Sequence, residues 1–195
     1  MNKDAFHNAF HIAKLSLFNM RLLHDIETAS TGHSDIGALK KRRCRLDSVS
    51  EPVSLLHQSA YLGHAYVCLV WLRETVKKDT AAEAQYIETL PKRFDFSLVD
   101  KVSGPRDISA PKEKLRLIRN AISHAGVTFE DDRFLFSDRD PRKKDETETV
   151  ASLSWSGVGM LADASLFTVN DLIYPPNNTS EGIRQAADGL PKPSM

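Results

Sequence analysis

The stretch Lys114-Leu115-Arg116-Leu117-Ile118-Arg119-Asn120-Ala121-Ile122-Ser123-His124-Ala125-Gly126 lays two faces onto one helix. At about 100° per residue, Leu115, Leu117, Ile118, Ala121, Ile122 and Ala125 fill one arc and Arg116, Arg119, Asn120, Ser123 and His124 the other. One arc can pack, and the other is left for polar chemistry. Asn120 and His124 stand four residues apart and project together, and Arg116 lies one turn below Asn120 on the same stripe. Ser109-Ala110-Pro111 suits the start of this helix, and Gly126 suits its C-cap, which leaves His124 in the last turn.

On the N-terminal side, Phe6, Phe10, Ala13, Leu17 and Met20 recur at helical spacing from Asp4 to Thr28, and Ile12, Leu15, Leu22 and Ile26 widen the apolar arc. The spacing predicts a long helix buried on more than one side. A polar break over Ser30 to Asp35 follows, and then a basic run, Lys40-Lys41-Arg42-Arg43-Cys44-Arg45, expected in or near a connection. A second long helix is expected to begin near Ser50 and to run through Tyr61, Tyr66, Val67, Val70 and Trp71 to Val76, pairing antiparallel with the first. A short helix over Ala81 to Leu90 and a loop marked by Pro91, Gly104 and Pro105 lead to the central helix.

Beyond Gly126 the period changes from helix to strand. Val127 to Glu130 and Arg133 to Phe136, joined by Asp131-Asp132, predict a β-hairpin over about residues 127–137. Asp138 to Thr149 is charged and reads as a loop, after which Val150 to Trp155 either extends a sheet or begins a helix. A last helix is expected from Trp155 to Ile173, weakened at its start by Gly157 and Gly159, and Pro175-Pro176 ends it. Residues 1–176 thus read as one mainly α domain, an antiparallel helical bundle with a small β-hairpin after the central helix. Residues 177–195 read as a polar tail.

With 195 residues and 41% hydrophobic side chains the chain can bury a real core. Twenty-six Lys and Arg balance twenty-six Asp and Glu, which excludes bulk attraction to polyanions and leaves only local patches for that purpose. Cys44 and Cys68 have neither metal-ligand nor redox spacing, the start of the chain lacks the apolar run of a signal peptide, and no apolar run is long enough to span a bilayer. A cytoplasmic protein without a membrane segment is expected, and the sequons at Asn177 and Asn178 read as coincidental.

Arg119-Asn120, three residues and then His124, within the longer run Arg119 to Ala125, resembles the signature of the HEPN superfamily, an Arg and a His four to six residues apart with a polar residue after the Arg. The resemblance implies a small helical domain that dimerises so that two motifs face each other across a cleft, and a metal-independent ribonuclease activity with no cofactor. It also implies RNA as substrate, a toxin or defence role and a possible antitoxin partner. In that chemistry the 2′-hydroxyl of RNA attacks the adjacent phosphorus. His124 is the natural acid or base, because imidazole titrates near neutrality. Arg119 would hold the phosphate through charge-assisted bonds, and Asn120 would orient the His or the ribose. One subunit offers one such His, so a two-fold dimer would supply acid and base together.

Weaker candidates for RNA or phosphate contact are Arg116, Ser123 and the run Lys40, Lys41, Arg42, Arg43 and Arg45. Each has a plainer reading: Arg116 as a surface cation, Ser123 as a solvated serine with no nucleophile pattern around it, and the run as solvated charge. Arg119 could instead merely pair with an acid, and His124 could offset a helix dipole. His7 and His11, and His57 and His64, lack the Glu or third ligand that a metal site needs, and no glycine-rich phosphate loop occurs. No metal is expected. Two other functions compete with the nuclease: a non-catalytic HEPN-like dimer that binds nucleotide, RNA or a protein partner, and a helical scaffold in which the motif is accidental.

Overall fold

The computed structural model describes residues 3–30, 34–46, 58–139 and 148–175. Helix α1 (Lys3–Ser30) is followed by α2 (Ser34–Leu46), which packs on it. Helix α3 (Gln58–Ala65) continues through a π-helical stretch, Tyr66–Trp71, into α4 (Leu72–Val76) with right-handed helical torsions on both sides. Helix α5 (Thr80–Arg93) is capped by Asp79, whose carboxylate accepts the N–H groups of Ala81 and Ala82 at 3.0 Å. Strand β1 (Asp100–Ser103), helix α6 (Pro111–Ser123), strands β2 (Val127–Glu130), β3 (Arg133–Asp138) and β4 (Thr149–Ser154), and helix α7 (Trp155–Ile173) complete the order.

Helix α7 is the axis of the bundle, in contact with α1, α3, the π stretch and α5. Its Val158, Leu161, Ala162, Leu166 and Val169 are buried, as are Phe10 and Ala13 of α1, Leu69 and Leu72 of the second long helix, and Tyr86 and Leu90 of α5. Each fully buried Leu, Val or Phe contributes about 1.5–3 kcal/mol relative to exposure. Polar groups along the bundle axis are paired: the Tyr86 hydroxyl meets Ser165 Oγ at 2.8 Å, and Ser165 donates to the Cys68 carbonyl. Buried His64 bridges Ser16 of α1 and Asp163 of α7, each at 3.0 Å. Both Cys44 and Cys68 are free and buried, and burial pushes the Cys68 thiol up to about 12.

Helix α6 lies between this bundle and an antiparallel sheet of order β1-β4-β3-β2. In β3 the buried residues are Phe134, Phe136 and Asp138, alternating as a half-covered strand requires. Phe134 pairs with Leu153 and Phe136 with Ala151 of β4, so the apolar side of the sheet and the apolar arc of α6 share one core.

The mainly α architecture, the helical periodicity and the bounds of α7 agree with the sequence reading. Four features differ. The hairpin is half of a four-stranded sheet, because Thr149–Ser154 pairs with β3 and Asp100–Ser103, expected as loop, adds the far edge. The basic run lies within α2 and not in a connection; Lys40 there pairs with Glu27 of α1 at 2.8 Å. The left-handed residue ending α6 is Ala125, at φ 56°, while Gly126 serves a different need. A Cβ on Gly126 would stand 2.3 Å from the Ser137 carbonyl oxygen, so only glycine lets β3 approach. Gly157 likewise faces a neighbour in place of weakening α7: its N–H is capped by Ser154, and a Cβ would meet Leu153 at 2.5 Å. The expected start of the second helix near Ser50, most of the charged loop and the tail from 177 lie outside the described residues.

Candidate functional site

Two anchors fix α6 before any polar chemistry begins. At its N-terminal half Lys114 donates to the carbonyls of Phe96 and Val99 at 2.7 and 2.8 Å, so this cation is spent on the scaffold. At its C-terminal end Gly126 donates to the Ala121 carbonyl at 2.8 Å and accepts from the Ser137 N–H at 2.8 Å, which ties the turn to β3. Leu115, Leu117, Ile118, Ala121 and Ile122 are buried between these points. Packing and backbone contacts thus set the position from which the opposite arc presents its side chains.

Lys112, Arg116 and Arg119, spaced four and three residues apart, form a stripe on that arc. Arg73 and Lys77 face them from the end of the second long helix, and together with Ile87 and Leu115 these residues line a pocket of about 250 Å³. Three carboxylates partly balance the five cations. Glu83 accepts from Arg73 Nη2 at 2.9 Å, Glu74 lies 3.6 Å from Arg119 and 4.0 Å from Lys77, and Glu113 lies 3.7 Å from Arg116. Arg73 is 8% exposed, and its Nε and Nη1 are buried without a hydrogen-bond partner. Burial, and then the like charge of Arg73, hold the Arg119 pKa below its ordinary value, while Glu74 acts the other way. The guanidinium stays protonated at neutral pH, so cations are crowded where water is partly excluded.

Asn120 links this pocket to the sheet. Its Oδ1 accepts from Arg119 Nη2 at 2.9 Å and its Nδ2 donates to Asp138 Oδ2 at 3.2 Å, an oxygen that also accepts from Arg106 Nη1 at 2.6 Å. The amide thus orients Arg119, not His124. Ser123 donates its hydroxyl to the Arg119 carbonyl at 2.8 Å, a local bond that occupies its proton. His124 sits one residue past the last helical residue, exposed, with its backbone N–H on the Asn120 carbonyl at 2.9 Å. No ring partner for it occurs among the described residues, and it is not part of the pocket lining.

The sequence-predicted residues therefore divide. Arg116 and Arg119 share the pocket, Asn120 supports Arg119 from the side, and Ser123 and His124 stand at the far end of the helix. Lys40, Lys41, Arg42, Arg43 and Arg45 belong to α2 and are absent from the pocket lining. Lys112 was legible as one more turn of the Arg116–Arg119 stripe. Arg73 and Lys77 were not, since nothing local reveals that their helix end meets α6. Among the described residues no three His, Cys, Asp or Glu side chains cluster as a metal site, and no helix is long and apolar enough to cross a membrane.

A family model described as HEPN pEK499 p136 matches residues 5–169. No match is found among curated proteins or among solved structures.

Proposed function

The chain belongs to the HEPN pEK499 p136 family, and from that premise we propose that it is a metal-independent endoribonuclease that works as a homodimer. The ribose 2′-oxygen attacks the adjacent phosphorus and the 5′-oxygen leaves, giving a 2′,3′-cyclic phosphate and a 5′-hydroxyl. His124 of one copy takes the 2′-hydroxyl proton and His124 of the second copy protonates the leaving oxygen. Arg119, aimed by Asn120, stabilises the charge that builds on the phosphoryl oxygens. A toxin or defence role in the cytoplasm, with an antitoxin as partner, belongs to the same reading, as does a single domain over 1–176.

Support comes from the arrangement along α6. Arg119 is positioned by Asn120 beside a cationic pocket, and the only imidazole of the motif is left unengaged at the end of the same helix. On this reading a lone subunit supplies a phosphate grip and one acid or base group, short of the two that the reaction uses. The absence of His124 from the pocket lining favours a second reading, a HEPN dimer that binds RNA or nucleotide without cleaving it. Incubation with RNA in excess chelator, beside Arg119→Ala and His124→Ala, decides between them. Fragments ending in 2′,3′-cyclic phosphate that disappear in both variants support the nuclease. Cleavage that survives both substitutions or needs a metal refutes it, and binding without cleavage selects the second reading.

A further inference from the structure

We infer that the pocket lined by Arg73, Lys77, Lys112, Arg116 and Arg119 receives a terminal phosphate monoester, either the phosphorylated end of an RNA or the phosphate of a mononucleotide. The inference goes beyond the nuclease reading, because it needs neither His124 nor a second subunit. Charge is the first argument. Five cations against three paired carboxylates leave an excess of two positive charges around the pocket. An internal phosphodiester carries one negative charge, whereas a phosphate monoester, with a second pKa near 6, carries close to two at neutral pH. The monoester matches the excess and the diester leaves half of it unanswered.

Arg73 supplies an independent argument. Its guanidinium is buried, and only Nη2 has a partner, Glu83 at 2.9 Å, while Nε and Nη1 have none. Buried donors without partners are unfavourable and rare in native proteins, and the residue that carries them lines this pocket. A monoester brings three terminal oxygens to that place, against two non-bridging oxygens of a diester. Size agrees as well. About 250 Å³ lies just under the roughly 300–1,000 Å³ of ordinary small-molecule sites, room for a phosphate with its sugar. Ile87 and Leu115 give the sugar an apolar wall.

The test uses the full chain and a short, fully 2′-O-methylated oligoribonucleotide, which cannot be cleaved by 2′-hydroxyl attack, with either a phosphate or a hydroxyl at its end. Fluorescence anisotropy is expected to show at least tenfold tighter binding of the phosphorylated form. The double variant Lys112→Glu/Arg116→Glu, both positions exposed, is expected to erase that preference while thermal unfolding confirms that it folds. His124→Ala is expected to keep it. Competition by a nucleoside 5′-monophosphate as strong as that of the phosphorylated oligonucleotide identifies the free nucleotide as ligand, and weaker competition identifies the RNA end; both uphold the pocket. Equal affinity for the two ends, or a preference that survives the double variant, overturns the inference. Either failure is independent of whether unmodified RNA is cut in a His124-dependent way.

Discussion

The two ends of α6 differ in how much of their chemistry one chain completes. At the Arg116–Arg119 end, cations from two helices converge with their carboxylates, and Asn120, Asp138 and Arg106 hold Arg119 from behind. At the other end His124 is exposed on a turn that β3 fixes through Gly126, with no hydrogen-bond or ring partner for its side chain among the described residues. On the proposed reading, binding belongs to the folded subunit and proton transfer needs a second copy. Substitutions at the two ends are accordingly expected to separate affinity from rate.

The largest separation is expected at His124. His124→Ala should lower the cleavage rate about 10²- to 10⁴-fold while RNA affinity stays within about twofold of the parent, whereas Arg119→Ala should reduce both; single-turnover rates and anisotropy read the two quantities. A His124→Ala variant that loses affinity along with rate would break the contrast. Gly126→Ala comes next. The added methyl would meet the Ser137 carbonyl at 2.3 Å, and urea unfolding should show a loss of about 1–3 kcal/mol, with the His124 end disturbed first in hydrogen exchange.

Asp138→Asn acts from behind the site. It removes the charge that Arg106 and Asn120 share on a carboxylate only 7% exposed, and stability should fall by about 1–3 kcal/mol. Cleavage should drop further than binding if Asn120 aims Arg119 as the geometry implies. The smallest effect lies in the bundle, away from both ends. Burial raises the Cys68 thiol and the Tyr86 phenol to about 12 in the folded chain, so folding favours their protonated forms. Stability is then fully present below the unfolded thiol pKa of about 8.5 and declines as pH rises toward 12. Urea midpoints at pH 7.5 and pH 10 check the sign, and Cys68→Ser should flatten part of the slope.

The same contrast explains what could be read from the chain alone. The face of α6 was legible because helical period is local, and the motif residues were legible because they lie within six positions of one another. Lys112 was within reach for the same reason. Arg73 and Lys77 depend on how one helix end meets another, and Asp138 on the sheet register, which no local spacing encodes. Strand β1 was hidden for a similar reason: Asp100–Ser103 is exposed throughout and has no alternating pattern, so only pairing with β4 makes it a strand. Gly126 looked like a helix cap, although its constraint comes from Ser137 eleven residues later.

Cleavage rate per subunit against protein concentration, measured on a fixed RNA in chelator, addresses the division between the two ends directly. The rate per subunit is expected to rise with concentration and to level off where sedimentation shows the dimer to be saturated, while phosphate affinity stays constant across the same range. A rate per subunit that is flat down to the monomer would contradict a site completed by a second copy.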